Sequence, residues 1–349
     1  MTTTFGSLYP RIYDFDNLME AYKLASRGKR YREEALRYRY KLEENLINLQ
    51  NHLIWHSWTP EPFRYFTVHE PKKREIAAPA FPDRVLHHAF VRVIEPLFER
   101  RFLPCSFACR KGKGTHAAVD LAERYIRSAC KQYERPYIFK GDIKSYFASI
   151  PHEYVKAQYR RTIRCADTLW LMDKLIDTGA PNGVGLPIGA LTSQILANVV
   201  LDPMDHYAKE RLKVKRYLRY MDDFIAVCPS KVEAKHIFWE LRFYAEYQIG
   251  LELNPKSRIQ PISKGLNFCG YRIWPGLRLP RKGNVGRMRK RIRRMCKLYL
   301  SCNVEFKAIL QVWASFMGYM SHCNSRLSSR AVAMDLLHSL RGAGGNVRN

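Results

Sequence analysis

Apolar and polar positions alternate with helical spacing near the start of the chain. Leu42, Leu46, Leu49 and Leu53 recur at i, i+4, i+7 and i+11, which sets them on one helix face, while Lys41, Glu43, Glu44 and Asn45 fall largely on the other. The pattern predicts helix from about Asp14 to Trp58, interrupted at Gly28-Lys29-Arg30 where two helices join. The short basic stretch from Phe66 to Ala80, punctuated by Pro71 and Pro79, predicts a hairpin or loop. Helical spacing returns over Arg84 to Phe98 and over Tyr154 to Leu175. Between them, Tyr137 to Ile143 is a compact β-prone run carrying Asp142 at its end. Asp177 to Gly189, rich in Gly and Pro, predicts a loop, and Ala190 to Ala208 a helix with Leu191, Leu196, Val199 and Val200 on its apolar side. Tyr217 to Met221 and Phe224 to Val227 are β-prone runs flanking Asp222-Asp223, the pattern of a tight hairpin. A helix over Lys231 to Ile249, a strand pair near Phe268 to Trp274 and helices from Pro280 to about Leu340 complete the pattern. The tail from Arg341 to Asn349, with three Gly, is expected to fray.

Composition narrows the partners. The 349 residues include 59 Lys and Arg against 32 Asp and Glu, a net charge of +27. A folded chain with that surplus expects a polyanion, nucleic acid before membrane surface. With 46% hydrophobic and 13% aromatic residues, wholesale disorder is excluded. No stretch approaches the roughly 18 apolar residues of a membrane span, so no membrane partner is expected. The first sixteen residues lack an apolar signal core, which disfavours secretion and points to the cytoplasm. Nine scattered cysteines form no C-x-x-C pair and are expected to be reduced thiols.

The candidate chemistry lies at strand ends. Adjacent Asp222 and Asp223 at a turn repel each other unless a cation intervenes, and Mg²⁺ favours such oxygen donors; an ordinary polar turn is the alternative. Asp142, closing another strand, would join Asp222 in a site for two metals about 4 Å apart, suited to phosphoryl transfer. Phe147, five residues on, is either a core aromatic or a ring that excludes the 2′-hydroxyl of a ribonucleotide. Nine basic residues and no acid lie between Arg281 and Lys297, a pattern fit for phosphates along a duplex.

Three segments in order, Phe139-Lys-Gly-Asp142-Ile-Lys-Ser-Tyr-Phe147, Gly185-Leu-Pro-Ile188-Gly189-Ala-Leu-Thr-Ser193-Gln194 and Tyr220-Met-Asp-Asp223, resemble motifs A, B and C of reverse transcriptases. Lys72-Lys73-Arg74 and Ser106 to His116 resemble the basic fingers motifs, Leu251 to Lys256 resembles motif D, and Phe268-Cys-Gly-Tyr271 resembles the primer grip. The resemblance implies an α+β right-hand polymerase. Residues 1–135 would form the fingers, 136–275 the palm with a fingers insertion at about 152–183, and 276–349 a basic helical thumb. It implies RNA-directed DNA synthesis with two Mg²⁺ ions, Mn²⁺ being a substitute, held by Asp142, Asp222, Asp223 and the carbonyl of Ile143. Lys73, Arg74 and Arg110 would bind the deoxynucleotide triphosphate together with Phe147, Ile188, Gly189 and Gln194. Lys256 would act as general acid on the pyrophosphate. Cys269, Gly270, Arg287, Arg289, Lys290, Arg291, Arg293 and Arg294 would hold the primer and the RNA–DNA hybrid.

Motif B departs from the common pattern. Most reverse transcriptases carry Gln-Gly and Ser-Pro where this chain has Ile188-Gly189 and Ser193-Gln194. That substitution is similar to the enzymes of diversity-generating retroelements, which copy a template-repeat RNA with misincorporation at adenines. Ile188 cannot offer the hydrogen bonds of a Gln amide. The resemblance implies a pentameric helical accessory protein and a bacterial, archaeal or phage source. A defence-associated or retron-like reverse transcriptase is the first rival, and a catalytically silent RNA-binding module on the same scaffold the second. A group II intron enzyme is less expected, since the stretch after the primer grip leaves no room for an endonuclease.

Overall fold

The computed structural model describes residues 7–69, 73–180 and 182–341; Lys72, Pro71 and the tail at 342–349 lie outside them. The first helices are α1 (Tyr9–Tyr13), α2 (Phe15–Ser26), α3 (Glu33–Tyr40) and α4 (Leu42–Ile54). The break at Gly28-Lys29-Arg30 separates α2 from α3, and a second break at Lys41, which the periodicity does not reveal, separates α3 from α4. Leu46, Leu49 and Leu53 are buried on one face of α4. The basic stretch that follows is an antiparallel hairpin, β1 (Arg64–Val68) against β2 (Arg74–Ala78), in the register Phe66↔Ile76.

Next comes α5 (Phe81–Glu99), which carries Val85, Leu86, Ala89, Phe90, Val93 and Ile94 into the interior. Each fully buried large apolar side chain contributes about 1.5–3 kcal/mol, so this helix anchors its surroundings. α6 (Thr115–Gln132) precedes β3 (Tyr137–Asp142) and the single turn α7 (Tyr146–Ser149). The helical stretch predicted from Tyr154 to Leu175 divides into α8 (His152–Arg160) and α9 (Ala166–Gly179). α10 (Leu191–His206) is buried nearly all round and continues as π-helical turns over Tyr207–Arg211.

β4 (Tyr217–Tyr220) and β5 (Asp223–Cys228) flank a two-residue turn, Met221-Asp222, one residue earlier than the sequence pattern places it. α11 (Lys231–Phe243) runs into further π-helical turns over Tyr244–Ile249. β6 (Arg258–Pro261) follows, giving a four-stranded sheet in the order β4-β5-β3-β6. β7 (Leu266–Phe268), β8 (Tyr271–Trp274) and β9 (Leu277–Pro280) form a separate antiparallel meander, whose third strand the sequence pattern does not announce. The last three helices are α12 (Lys282–Leu300), α13 (Phe306–Met320) and α14 (Arg326–Arg341).

Contacts divide the chain into two units. One comprises Met1–Gly112, Lys140–Phe224 and Ile237–Ser257; the other comprises Lys113–Phe139, Ile225–His236 and Arg258–Asn349. In the first, α5 packs against α2 and α10. In the second, Ile292, Cys296, Ile309, Val312, Phe316, Met320 and Val332 make a small core where α12, α13 and α14 meet. No helix among the described residues is long and apolar enough to cross a membrane, and all nine cysteines are free thiols.

Candidate active site

Asp142 ends β3; Asp222 lies in the β4–β5 turn and Asp223 opens β5, the strand beside β3 in the sheet. The turn places Met221 at φ 55, a left-handed conformation uncommon for a bulky side chain. Burial, and then the charges of Asp142 and Asp223, push the Asp222 carboxyl up to about 6, with Arg74 acting in the opposite direction. Asp142, Asp223 and Arg74 thus all act on the Asp222 carboxyl.

Their partners differ. Asp142 accepts from Asn254 Nδ2 at 2.8 Å, and its carbonyl accepts from the Asn254 amide at 2.7 Å. Its own amide donates to Ser257 Oγ at 3.3 Å. Lys144 N likewise donates to Glu252 O at 2.9 Å. These ladder bonds flank Ile143, so the peptide groups of Ile143 point to the opposite edge, as a carbonyl ligand on the Asp222 side requires. Asp223 binds Lys140 Nζ at 2.9 Å. Lys140 precedes Asp142 by two residues on β3, so both side chains share one face of the strand.

Among the described residues, no three His, Cys, Asp or Glu side chains stand together in a form that would hold a metal. The donor set still suits a hard divalent cation in part. Asp142 and Asp222 supply oxygen donors in mutual repulsion, and Mg²⁺ bound by one or two carboxylates completes its shell with water and phosphate. Asp223 pairs with the Lys140 ammonium through Oδ1.

The nucleotide-binding candidates divide as sharply. Lys73 and Arg74 are exposed at the start of β2. Arg110 is not presented to solvent: its side chain is 6% exposed and paired with Glu99 at 2.8 Å. It also donates to the carbonyls of Leu103 and Ser106 at 2.7 and 2.9 Å. With these bonds its planar fork of donors is engaged inside the protein.

Motif B forms a loop tied to its surroundings by backbone bonds. Leu186 N donates to Phe147 O at 2.7 Å and Gly185 N to Ile150 O at 2.8 Å, while Ala77 N donates to Ile188 O at 2.9 Å. Gly189 has φ 136, and a Cβ there would lie 2.5 Å from Ala77 O, so only glycine lets the loop meet β2 this closely. Phe147 and Ile188 are half-buried, and Gln194 is exposed on α10. His87, buried on α5, bonds Thr192 Oγ1 at 3.0 Å, a packing role.

Lys256 is exposed in the loop after Ile249, its amide donating to Asn254 Oδ1 at 3.0 Å. Asn254, not Lys256, makes the contact with Asp142. The sequence signal for it was the Asn-Pro step, which initiates turns. Arg219 on β4 was also missed, since an Arg between strand residues carries no sequence mark of burial.

In the second unit, Cys269 and Gly270 form the β7–β8 turn with φ 43 and 88, positive at both positions as a tight hairpin turn requires. The Gly270 carbonyl accepts from Arg281 N at 3.0 Å and Tyr319 OH at 2.5 Å. The basic run on α12 splits by face. Arg289 and Arg293 reach Asp335 of α14 at 2.5 and 3.2 Å. This pairing joins α12 to α14, and the two side chains remain 42% and 55% exposed. Arg287, Lys290, Arg291, Arg294 and Lys297 are exposed. Their spacing of three, four and seven residues sets them on one stripe.

A sheet whose neighbouring strand ends gather carboxylates, one pair on a hairpin turn, is the palm of a right-hand polymerase. The chain matches the family model for reverse transcriptase (RNA-dependent DNA polymerase) over residues 68–273, more than half its length, and belongs to that family. It is 25% identical over 291 residues to protein YkfC of Escherichia coli (strain K12), covering 71% of this chain and 75% of that one. It is 22% identical over 342 residues to the group II intron-encoded protein LtrA of Lactococcus lactis subsp. cremoris, covering 77% of this chain and 55% of LtrA. The chain thus spans about half of LtrA. A solved telomerase from Candida albicans, in complex with a fragment of telomeric RNA, aligns at 13% identity and a TM-score of 0.48 over 81% of this chain and 55% of that one.

Proposed function

We propose that the protein copies RNA into DNA. A primer 3′-hydroxyl attacks the α-phosphate of a deoxynucleotide, a phosphodiester bond forms and pyrophosphate leaves. The observation that supports this is Asp222, partly buried on its hairpin turn in the field of Asp142 and Asp223. Divalent cations at this edge, Mg²⁺ or in its place Mn²⁺, supply charge that neutralises phosphate oxygens and acidifies the primer hydroxyl. Asp142, Asp222 and Asp223, with the Ile143 carbonyl, would hold them. Arg74 and Lys73 bind the triphosphate, Phe147 bounds the sugar, Gly189 and Gln194 line the nascent pair, and Lys256 protonates the leaving pyrophosphate. Cys269 and Gly270 lie along the primer, and the α12 stripe of Arg287, Lys290, Arg291 and Arg294 follows the hybrid phosphates.

The finer reading is the reverse transcriptase of a diversity-generating retroelement, acting on a template-repeat RNA with a pentameric helical accessory protein. Ile188 supports it, because an aliphatic side chain removes a hydrogen-bond partner from the nascent pair. Discrimination lost with one hydrogen bond is about 1–3 kcal/mol. The similarity to LtrA, which a group II intron encodes, favours a second reading with an intron-type RNA template. Primer extension on an adenine-rich RNA template tests both. The first reading expects cDNA with errors concentrated opposite adenine, reduced in Ile188→Gln. Accurate cDNA that Ile188→Gln leaves unchanged supports the second, and absence of cDNA contradicts RNA-directed synthesis.

A further inference from the structure

Arg219 is the largest fully buried side chain in the described structure, and every one of its guanidinium donors is engaged. Nε donates to Asp205 Oδ1 at 2.8 Å and Nη2 to Asp205 Oδ2 at 2.7 Å, a bidentate pair in which both residues are fully buried. Nη2 also donates to Ser106 Oγ at 3.1 Å. Nη1 donates to Asn198 Oδ1 at 3.1 Å and to the Met221 carbonyl at 2.9 Å. Asp205 accepts a further bond from Tyr217 OH at 2.8 Å. The backbone of Arg219 is fixed as well, its amide donating to Cys105 O at 2.9 Å and its carbonyl accepting from Phe107 N at 3.0 Å.

One of these bonds reaches the site. Met221 is the left-handed residue of the β4–β5 turn, and the next residue is Asp222. A left-handed non-glycine conformation persists only where its surroundings over-determine it. We propose that Arg219, anchored on Asp205 of α10, is a positioning residue that pins the Met221 carbonyl and so fixes where the turn presents the Asp222 carboxylate. A buried ion pair is weak evidence of stabilisation for its own sake, since well-packed apolar residues of similar volume often replace it without loss. Five donors on one planar fork do fix geometry. Two of them tie the turn to α10, through Met221 on one side and Asn198 on the other.

The proposal rests on Asp222 as a metal carboxylate. If Asp222→Ala retains synthesis, that reading fails before Arg219 is tested. The experiment compares wild type with Arg219→Met/Asp205→Leu, which removes both charges, and with Arg219→Lys, which keeps a charge beside Asp205 but lacks the fork. Folded fraction comes from thermal denaturation and primer–template affinity from binding. The single-turnover extension rate per folded, primer-bound molecule and the Mg²⁺ concentration for half-maximal rate are measured alongside. A misplaced reacting group costs on the order of 100-fold in rate. The expected result is a loss of that size per folded molecule in either variant, with half-saturation moved to higher Mg²⁺ and primer–template affinity unchanged. The proposal is overturned if the loss of folded molecules accounts for the whole loss of activity. It is equally overturned if folded variants keep the wild-type rate and Mg²⁺ dependence.

Discussion

Arginine serves opposite ends in two regions of this molecule. Around the palm hairpin, Arg219 and Arg110 are withdrawn from water and spend their donors on Asp205, Glu99 and backbone carbonyls. On α12, Arg287, Arg291 and Arg294 stand exposed, and Arg289 and Arg293, themselves 42% and 55% exposed, pair with Asp335. The difference teaches that a surplus of +27 does not divide into binding residues by motif position alone. What decides is whether an acid or a carbonyl already occupies the fork, because a guanidinium with satisfied donors has none left for phosphate.

The comparison breaks most visibly at Arg110. Arg110→Ala leaves the Glu99 carboxylate, itself 31% exposed, and the Leu103 and Ser106 carbonyls without their donor, a cost of about 1–3 kcal/mol. Chemical denaturation should therefore report a large loss of stability, with KM for deoxynucleotide in the folded fraction close to wild type. A normal midpoint with a raised KM would return Arg110 to the triphosphate. A smaller effect is expected on α12. Replacing Lys290, Arg291 and Arg294 with Ala should make the log Kd against log salt dependence for an RNA–DNA hybrid shallower by about 2–3 units. Replacing Arg289 and Arg293 should leave that slope nearly unchanged. Equal slopes in both variants would erase the distinction between the two faces.

The smallest expected effect concerns a buried acid that has no ion-pair partner among the described residues. Asp83, 3% exposed, accepts from Glu61 N at 2.8 Å, and burial pushes its carboxyl up to about 6. A raised carboxyl pKa means the fold holds the proton more tightly than the unfolded chain. Its favourable contribution is fully present below about pH 4 and is lost as pH rises through about 6. The span is on the order of 1–3 kcal/mol. Asp83→Asn keeps an acceptor for the Glu61 amide and should flatten the stability profile over that window.

Much of the fold was legible in the pattern of apolar positions. The α4 face, the break at Gly28-Lys29-Arg30 and the β4–β5 hairpin follow from periodicity and turn chemistry. The split between α8 and α9 did not show, because buried Tyr159 and Ile163 carry apolar positions through the break. The candidate site was legible in its carboxylates and not in their supports. Asp142, Asp222 and Asp223 lie at strand ends that motif order marks. Asn254, Lys140 and Arg219 gain their roles from pairing across strands and helices, which no linear pattern records. The fate of Arg110 was hidden for the same reason, since Glu99 lies a helix end away.

Whether the Asp222 carboxylate holds metal for nucleotidyl transfer is decided by primer extension with Asp222→Ala on an RNA template. cDNA synthesis should disappear while the variant binds an RNA–DNA hybrid with wild-type affinity. Synthesis at a comparable rate by this variant would contradict that role.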